Sequence, residues 1–288
     1  MTEYERVDQR SRTVMEGGAT VNETGVSAAQ PWAEILRRQW HLLMLSLQFY
    51  TRVPVRLLYD FKEADLNKAS RYISLTGWLV ALAAACAYLL GVYFYGPWGG
   101  AVLAVATGVL ITGAFHEDGL ADAADGFGGG HTPERILEIM KDSRVGTYGA
   151  LALALSLSLK IVILAQLAPD AALLLLWISH ACSRAVAISL IASLDYVRAD
   201  QLSKVKPVAK GIATRDIAIA AVIALMPLLL AGVKAFALAV VGLWFLRRAS
   251  IGYLSRRLGG YTGDCLGAVQ QLAEIVLFLL LGGLWSSI

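Results

Sequence analysis

The residues best placed to do chemistry are His116, Glu117, Asp118, Asp122 and Asp125, which fall within ten positions and run into Gly126-Phe-Gly-Gly-Gly130. Long apolar segments flank this block on both sides. Carboxylates are costly beside a bilayer, so a cluster of them at its edge marks a functional site and calls for a cationic partner. Asp118, Asp122 and Asp125 are spaced i, i+4, i+7, which at about 100° per residue places them on one narrow helical stripe. Like charges on one stripe repel, and a divalent cation would relieve them. Ligation by oxygen alone favours magnesium, manganese or calcium over zinc, and Mg²⁺ commonly completes its shell with substrate phosphate oxygens. The glycine run is expected to end the helix in a turn without side-chain bulk, where main-chain N–H groups at Gly128 and Gly129 approach phosphate. The competing reading is a solvated loop with one charged face.

A second polar block follows. Thr132-Pro133-Glu134 reads as a helix start, with Thr132 as cap and Pro133 in the first turn. Beyond it, Lys141 and Arg144 are placed to meet phosphate, or to pair with Glu138 and Asp142. Ser183-Arg184 lies in mid-span with His180 one turn earlier, and a membrane arginine calls for a carboxylate or phosphate partner. Lys160 either snorkels or takes a functional role. Gly259-Gly-Tyr-Thr-Gly-Asp264 is a second glycine-rich acidic turn. It opens a segment in which Gln270, Gln271 and Glu274 form either a hydrogen-bonding hub or part of the site.

These groups need a scaffold, and composition says which kind. The chain has 288 residues, 57% of them hydrophobic and 16% charged, with a mean hydropathy of +0.60. That is an integral membrane protein, here an all-α polytopic helical bundle. Seven spans are expected: Tyr72–Tyr95, Trp98–Phe115, Gly146–Ala168, Ala171–Leu194, Ile217–Gly232, Ala235–Phe245 with its continuation, and Leu266–Trp285. Trp40–Tyr50 is too short to cross and reads as a short interfacial helix. Residues 1–30 are polar and lack the apolar core of a signal peptide, which predicts a disordered tail before one membrane-embedded catalytic domain over 31–288. The long connections carry seventeen basic residues against Lys234 alone in the short ones, so the long loops and the acidic block are expected on the cytoplasmic side of the inner membrane. A net charge of +3 gives no reason to expect nucleic-acid binding. The three cysteines form no CxxC or Cys/His pattern, so neither a zinc site nor a disulfide framework is indicated.

The block His116–Gly130, followed by Glu138-Ile-Met-Lys-Asp-Ser-Arg-Val-Gly-Thr147, resembles the signature of the cobalamin synthase family, the membrane-bound adenosylcobinamide-GDP ribazoletransferases. The likeness extends to Thr51-Arg-Val-Pro54, Arg71-Tyr-Ile-Ser-Leu-Thr-Gly77, Ser183-Arg184 and Gly260-Tyr-Thr-Gly-Asp-Cys-Leu-Gly267. It departs at Ser74, where the family pattern has proline, and leaves the N-terminal tail unexplained. The resemblance implies an Mg²⁺-dependent enzyme with adenosylcobinamide-GDP and α-ribazole, or its 5′-phosphate, as substrates. On that reading Asp118, Asp122 and Asp125 are expected to hold one or two Mg²⁺ ions, with Asp142 or Asp264 completing the shell. His116, Glu117 or another outer acid would take the hydroxyl proton, and Lys141, Arg144 and Arg184 would hold phosphate. Lipid is an expected partner, and a homo-oligomer is compatible with the reading.

Two other functional classes share parts of this pattern. A CDP-alcohol phosphotransferase also pairs aspartates with Mg²⁺, but here Leu120 and Ala121 are followed by Asp122 where that family's pattern requires arginine. A membrane transporter would use Arg184, Lys160 and Glu274 as a relay, yet the richest polar cluster lies at the edge of the apolar segments and no inverted repeat is visible.

Overall fold

The computed structural model describes residues 31–197 and 211–286. The expected tail over 1–30 lies outside the described residues, as do Arg198, Lys204, Lys206 and Lys210 of the basic loops. Among the described residues, those from Leu42 onward form one compact unit, separate from 31–41. The described residues are almost entirely helical, and their only β-bridge joins Tyr196 to Tyr261.

Helix α1 spans Pro31–Tyr50, α2 spans Glu63–Ala69, and α3 spans Ile73–Thr112. Then follow α4 (Phe115–Gly129), α5 (Pro133–Met140), α6 (Thr147–Gln166) and α7 (Pro169–Ser189). After the undescribed stretch come α8 (Thr214–Leu228), α9 (Gly232–Leu258) and α10 (Gly263–Leu277), the last continuing through a π turn at Phe278–Gly282 into α11 (Gly283–Ser286). Among the described residues, five helical stretches are long and apolar enough to cross a membrane. Two of them, Glu63–Thr112 and Thr214–Leu258, are interrupted by glycines with positive φ, Gly96 at 73° and Gly232 at 82°. Divided there, the stretches give the seven apolar segments expected from the sequence.

Glycine chemistry sets the first of these breaks. Gly96 reverses the chain in a conformation that a Cβ would strain, and Pro97 then supplies the fixed φ of a helix start. The two arms of α3 lie so close that a Cβ on Gly91 would stand 2.7 Å from the Cα of Gly100. At its far end α3 closes through Gly113 and Ala114, both left-handed, whose N–H groups donate to Leu110 and Val109. This pair turns the chain into α4, so the second expected span stops at Thr112 and the acidic block forms a separate helix.

The bundle has a centre and a periphery. In the most apolar windows of α7 and of the segment starting with α10, 67% of residues are buried, against 22% in α6. Those two helices therefore form the protein-facing middle, and the outer helices present Leu, Val and Phe side chains outward, as a lipid environment requires. The main core joins Ala84 and Tyr88 of α3 to Leu175 and Ile178 of α7, Ala224 of α8 and Ala273 and Leu277 of α10. Small residues at these crossings let the backbones approach.

Even the methyl group of Gly91→Ala must push the two arms of α3 apart. Overpacking of this kind costs about 1–3 kcal/mol, so this variant is expected to unfold at a lower temperature than the parent in detergent, as thermal denaturation followed by circular dichroism would read.

Candidate functional site

Two charged side chains hold the C-terminal end of helix α4. Asp125, buried near its C-terminal end, accepts hydrogen bonds from the backbone N–H of Gly146 (2.7 Å) and of Gly149 (2.9 Å). These are the open amides at the start of α6, where a carboxylate also complements the helix dipole. A Cβ on either glycine would collide with the Asp125 carboxylate, which accounts for glycine at both positions. At the other polarity, Arg257 of α9 donates to the carbonyl oxygens of Gly130 (2.8 Å) and Phe127 (3.4 Å) and lies against the rings of Phe127 and Tyr253. A cation thus sits at the carbonyl end of α4.

The glycine run does not end this helix in an open turn. α4 continues to Gly129, and Gly128 lies under the ring of Tyr148, whose atoms a Cβ would meet at 2.5 Å. Gly126 and Gly130 make room for Met140 and Ile136 of α5 in the same way. Close packing is what these glycines provide here.

The remaining stripe faces outward. Asp118 is exposed and Asp122 half-buried. Between them Gly119 packs directly on the start of α10, where its Cβ would stand 2.9 Å from the carbonyl oxygen of Asp264 and 3.1 Å from the Cα of Gly267. The second acidic turn is therefore brought alongside the first. Thr262 caps α10 by accepting from the N–H of Cys265 (3.2 Å), and its hydroxyl lies 3.4 Å from Asp264 Oδ2. Among the described residues, no three His, Cys, Asp or Glu side chains converge as a complete chelate. Mg²⁺ needs only one or two carboxylates when water and phosphate supply the rest. Asp118 and Asp122 fit that description, because they are hard oxygen donors on one helical stripe, the first exposed and the second half-buried.

The other expected groups are distributed. Thr132 accepts from the N–H of Arg135 (3.3 Å), which confirms the expected start of α5. Asp142 is paired with the exposed Arg144 guanidinium (2.5 Å), whose hydrogen bonds hold its carboxyl down to about 2. Lys141 is exposed beside this pair. Arg184 lies elsewhere, only 1% exposed inside the bundle. Tyr261, in the second glycine-rich turn, is buried, and that burial raises its hydroxyl to about 12.

The inward face of α4 meets a buried ionic hub. Glu274 of α10 receives Lys160 of α6 at 2.5 Å, the imidazole of His180 at 3.0 Å and Arg184 at 3.7 Å, both of these from α7. Gln270 donates to the second carboxylate oxygen (2.6 Å), and Arg184 also donates to the carbonyl of His180 (2.7 Å). Lys160 further donates to Gln271 (2.6 Å), whose amide donates in turn to Glu117 (2.9 Å). Lys160 is thus a buried ion-pair partner, and the carboxylate called for by Arg184 is Glu274. His116 is buried next to Glu117. Burial, reinforced by the positive charge of Arg184, holds its imidazole well below the usual histidine range.

The structure therefore brings Asp118, Asp122 and Asp264 to one region, turns Asp125 onto α6, and sends His116 and Glu117 inward to Arg184. Arg257 as a cap was not singled out in the sequence, whereas Gln271, read there with Gln270 and Glu274, proves to be the link to Glu117. The signal for Gln271 was a polar pair one turn before Glu274 on an otherwise apolar helix; nothing local marked Arg257.

The profile of the family described as cobalamin-5-phosphate synthase matches residues 42–282. The chain is 46% identical over 258 residues to an adenosylcobinamide-GDP ribazoletransferase of Ralstonia pickettii, covering 88% of this chain and 98% of that protein. It is 46% identical to a protein of the same name from Shewanella amazonensis, over 87% and 98% of the two chains. It is 42% identical to one from Vibrio cholerae, over 86% and 96%. No solved structure matches the chain.

Asp125→Asn keeps one acceptor oxygen and loses the other, leaving one amide at the start of α6 open. It should destabilise the protein by about 1–2 kcal/mol, the usual worth of a helix cap. Asp118→Asn, on the exposed face, should leave stability within about 0.5 kcal/mol of the parent. Unfolding midpoints of the two purified variants read the difference.

Proposed function

The chain belongs to the cobalamin-5-phosphate synthase family, and on that premise we propose that it joins the lower nucleotide to the corrinoid. It transfers the adenosylcobinamide phosphate of adenosylcobinamide-GDP to α-ribazole or its 5′-phosphate. The ribose hydroxyl oxygen forms the new bond to the phosphorus esterified to the corrinoid side arm. The bond from that phosphorus to the GMP oxygen breaks, the hydroxyl proton is lost to a base or to water, and GMP leaves. The carrying observation is family membership over nearly the whole compact unit together with an outward carboxylate stripe beside the second acidic turn.

Asp118 and Asp122 are the residues proposed to hold Mg²⁺, with Asp264 adjacent. Bound there, the ion neutralises charge on the diphosphate, the main requirement of phosphoryl transfer. Exposed Lys141 and Arg144 stand on the connection between α5 and α6, next to the α6 N-terminus that Asp125 clamps. They are assigned to the anionic substrate, with Arg144 exchanging Asp142 for phosphate. Asp125, Gly128 and Gly129 act by packing and by setting the angle of α4. The basic loops support a cytoplasmic placement of this face in the inner membrane, which suits substrates that arrive from water.

In liposomes containing the purified chain, adenosylcobinamide-GDP and α-ribazole should give GMP and adenosylcobalamin in equal amounts, with the reaction stopped by EDTA and restored by Mg²⁺. Asp122→Asn should lower kcat by at least about 10²-fold, the scale of losing one electrostatic stabiliser, with unchanged membrane insertion. Full activity of that variant, or GMP release insensitive to EDTA, would remove the metal assignment.

A further inference from the structure

Behind the acidic stripe, inside the bundle, lies a small cavity of about 20 Å³. Its walls include Gly108 of α3, His116 and Glu117 of α4, and His180 and Arg184 of α7, with α6 and α10 closing it. Much of the polar lining is satisfied within the protein. Both oxygens of Glu274 are engaged, Lys160 donates to Glu274 and Gln271, and the hydroxyl of Thr112 donates to the backbone of its own helix. Three atoms differ. His116 Nε2, Glu117 Oε2 and Arg184 Nε are buried and have no hydrogen-bond partner among the described residues. Their side chains belong to residues only 5%, 8% and 1% exposed.

Leaving a buried polar atom unsatisfied is costly, and here three residues with such atoms line one void. The chemistry of the three limits what fits. Arg184 Nε–H can only donate, the Glu117 carboxylate oxygen accepts, and the imidazole nitrogen does either according to its tautomer. A phosphate or carboxylate would meet Glu117 with like charge, and an ammonium group would meet Arg184 in the same way. The group that serves all three must donate and accept at once, and the volume admits something the size of one water. We propose that this cavity is a binding site for a single hydroxyl group, supplied either by an internal water or by the acceptor alcohol. The second source rests on the transferase reading; the first does not.

The test is the structure of the full chain in lipid nanodiscs, determined to a resolution that shows ordered water, with and without α-ribazole. The ligand-free protein should show one density within hydrogen-bonding distance of His116 Nε2, Glu117 Oε2 and Arg184 Nε. Persistence of that density beside bound α-ribazole identifies an internal water. Its replacement by a ribose oxygen identifies the acceptor site. A site without density, or three atoms paired with protein groups, overturns the proposal whether or not the chain proves to be a transferase. Gly108→Leu supplies a second reading, since a Cβ there already lies 3.5 Å from the His180 ring and the longer side chain must enter the cavity. For the alcohol, KM for α-ribazole should rise at least tenfold with KM for adenosylcobinamide-GDP unchanged; for water, the unfolding midpoint should fall with both KM values unchanged. Stability and kinetics equal to the parent would contradict both.

Discussion

A carboxylate enclosed by apolar helices must find its countercharges within the protein, and Glu274 finds them on two other helices. Lys160 comes from α6, and His180 and Arg184 come from α7. Removing one partner of such a set strands the others, at a cost of about 3–5 kcal/mol in comparable buried pairs. α6, α7 and α10 are therefore fixed relative to one another by charge as well as by packing. The hub also reaches the chemistry, because Gln271 passes its amide from this cluster to Glu117 at the start of α4. The orientation of the acidic helix is set from the middle of the membrane domain.

At its other end the same helix is clamped by Asp125 on the amides of α6 and by Arg257 on its own last carbonyls. Two of the four acidic residues in the block are thus turned inward or sideways, and two remain on the open face. A rigid helix with a small number of outward carboxylates suits phosphoryl transfer, which asks for positioned charge more than for covalent participation. Gly119 has a related part. By admitting the backbone of Asp264, it joins two acidic turns that lie far apart in the chain.

Much of this was legible in the sequence. The apolar segments, the glycine breaks, the cap at Thr132 and the chemical nature of the block follow from local pattern, because each depends on residues within a turn or two. What local pattern lacks is the identity of the neighbour. The i, i+4, i+7 spacing correctly placed Asp118, Asp122 and Asp125 on one stripe, but it could not say that α6 would begin against the last of them. Lys160 stayed open between snorkelling and a functional role because its partner lies 114 positions away. The glycine run read as a flexible turn because the side chains that fill its spaces, Tyr148, Met140 and Ile136, come from later helices.

The central claim is a division of labour along α4, with Asp118 and Asp122 holding the ion and Asp125 holding the helix. Binding of Mn²⁺ to the purified protein, followed by electron paramagnetic resonance, tests it without requiring turnover. Asp118→Asn and Asp122→Asn should each weaken Mn²⁺ binding by at least tenfold, while folded Asp125→Asn should bind it as the parent does. Loss of Mn²⁺ from Asp125→Asn, with binding intact in the other two, would contradict this account.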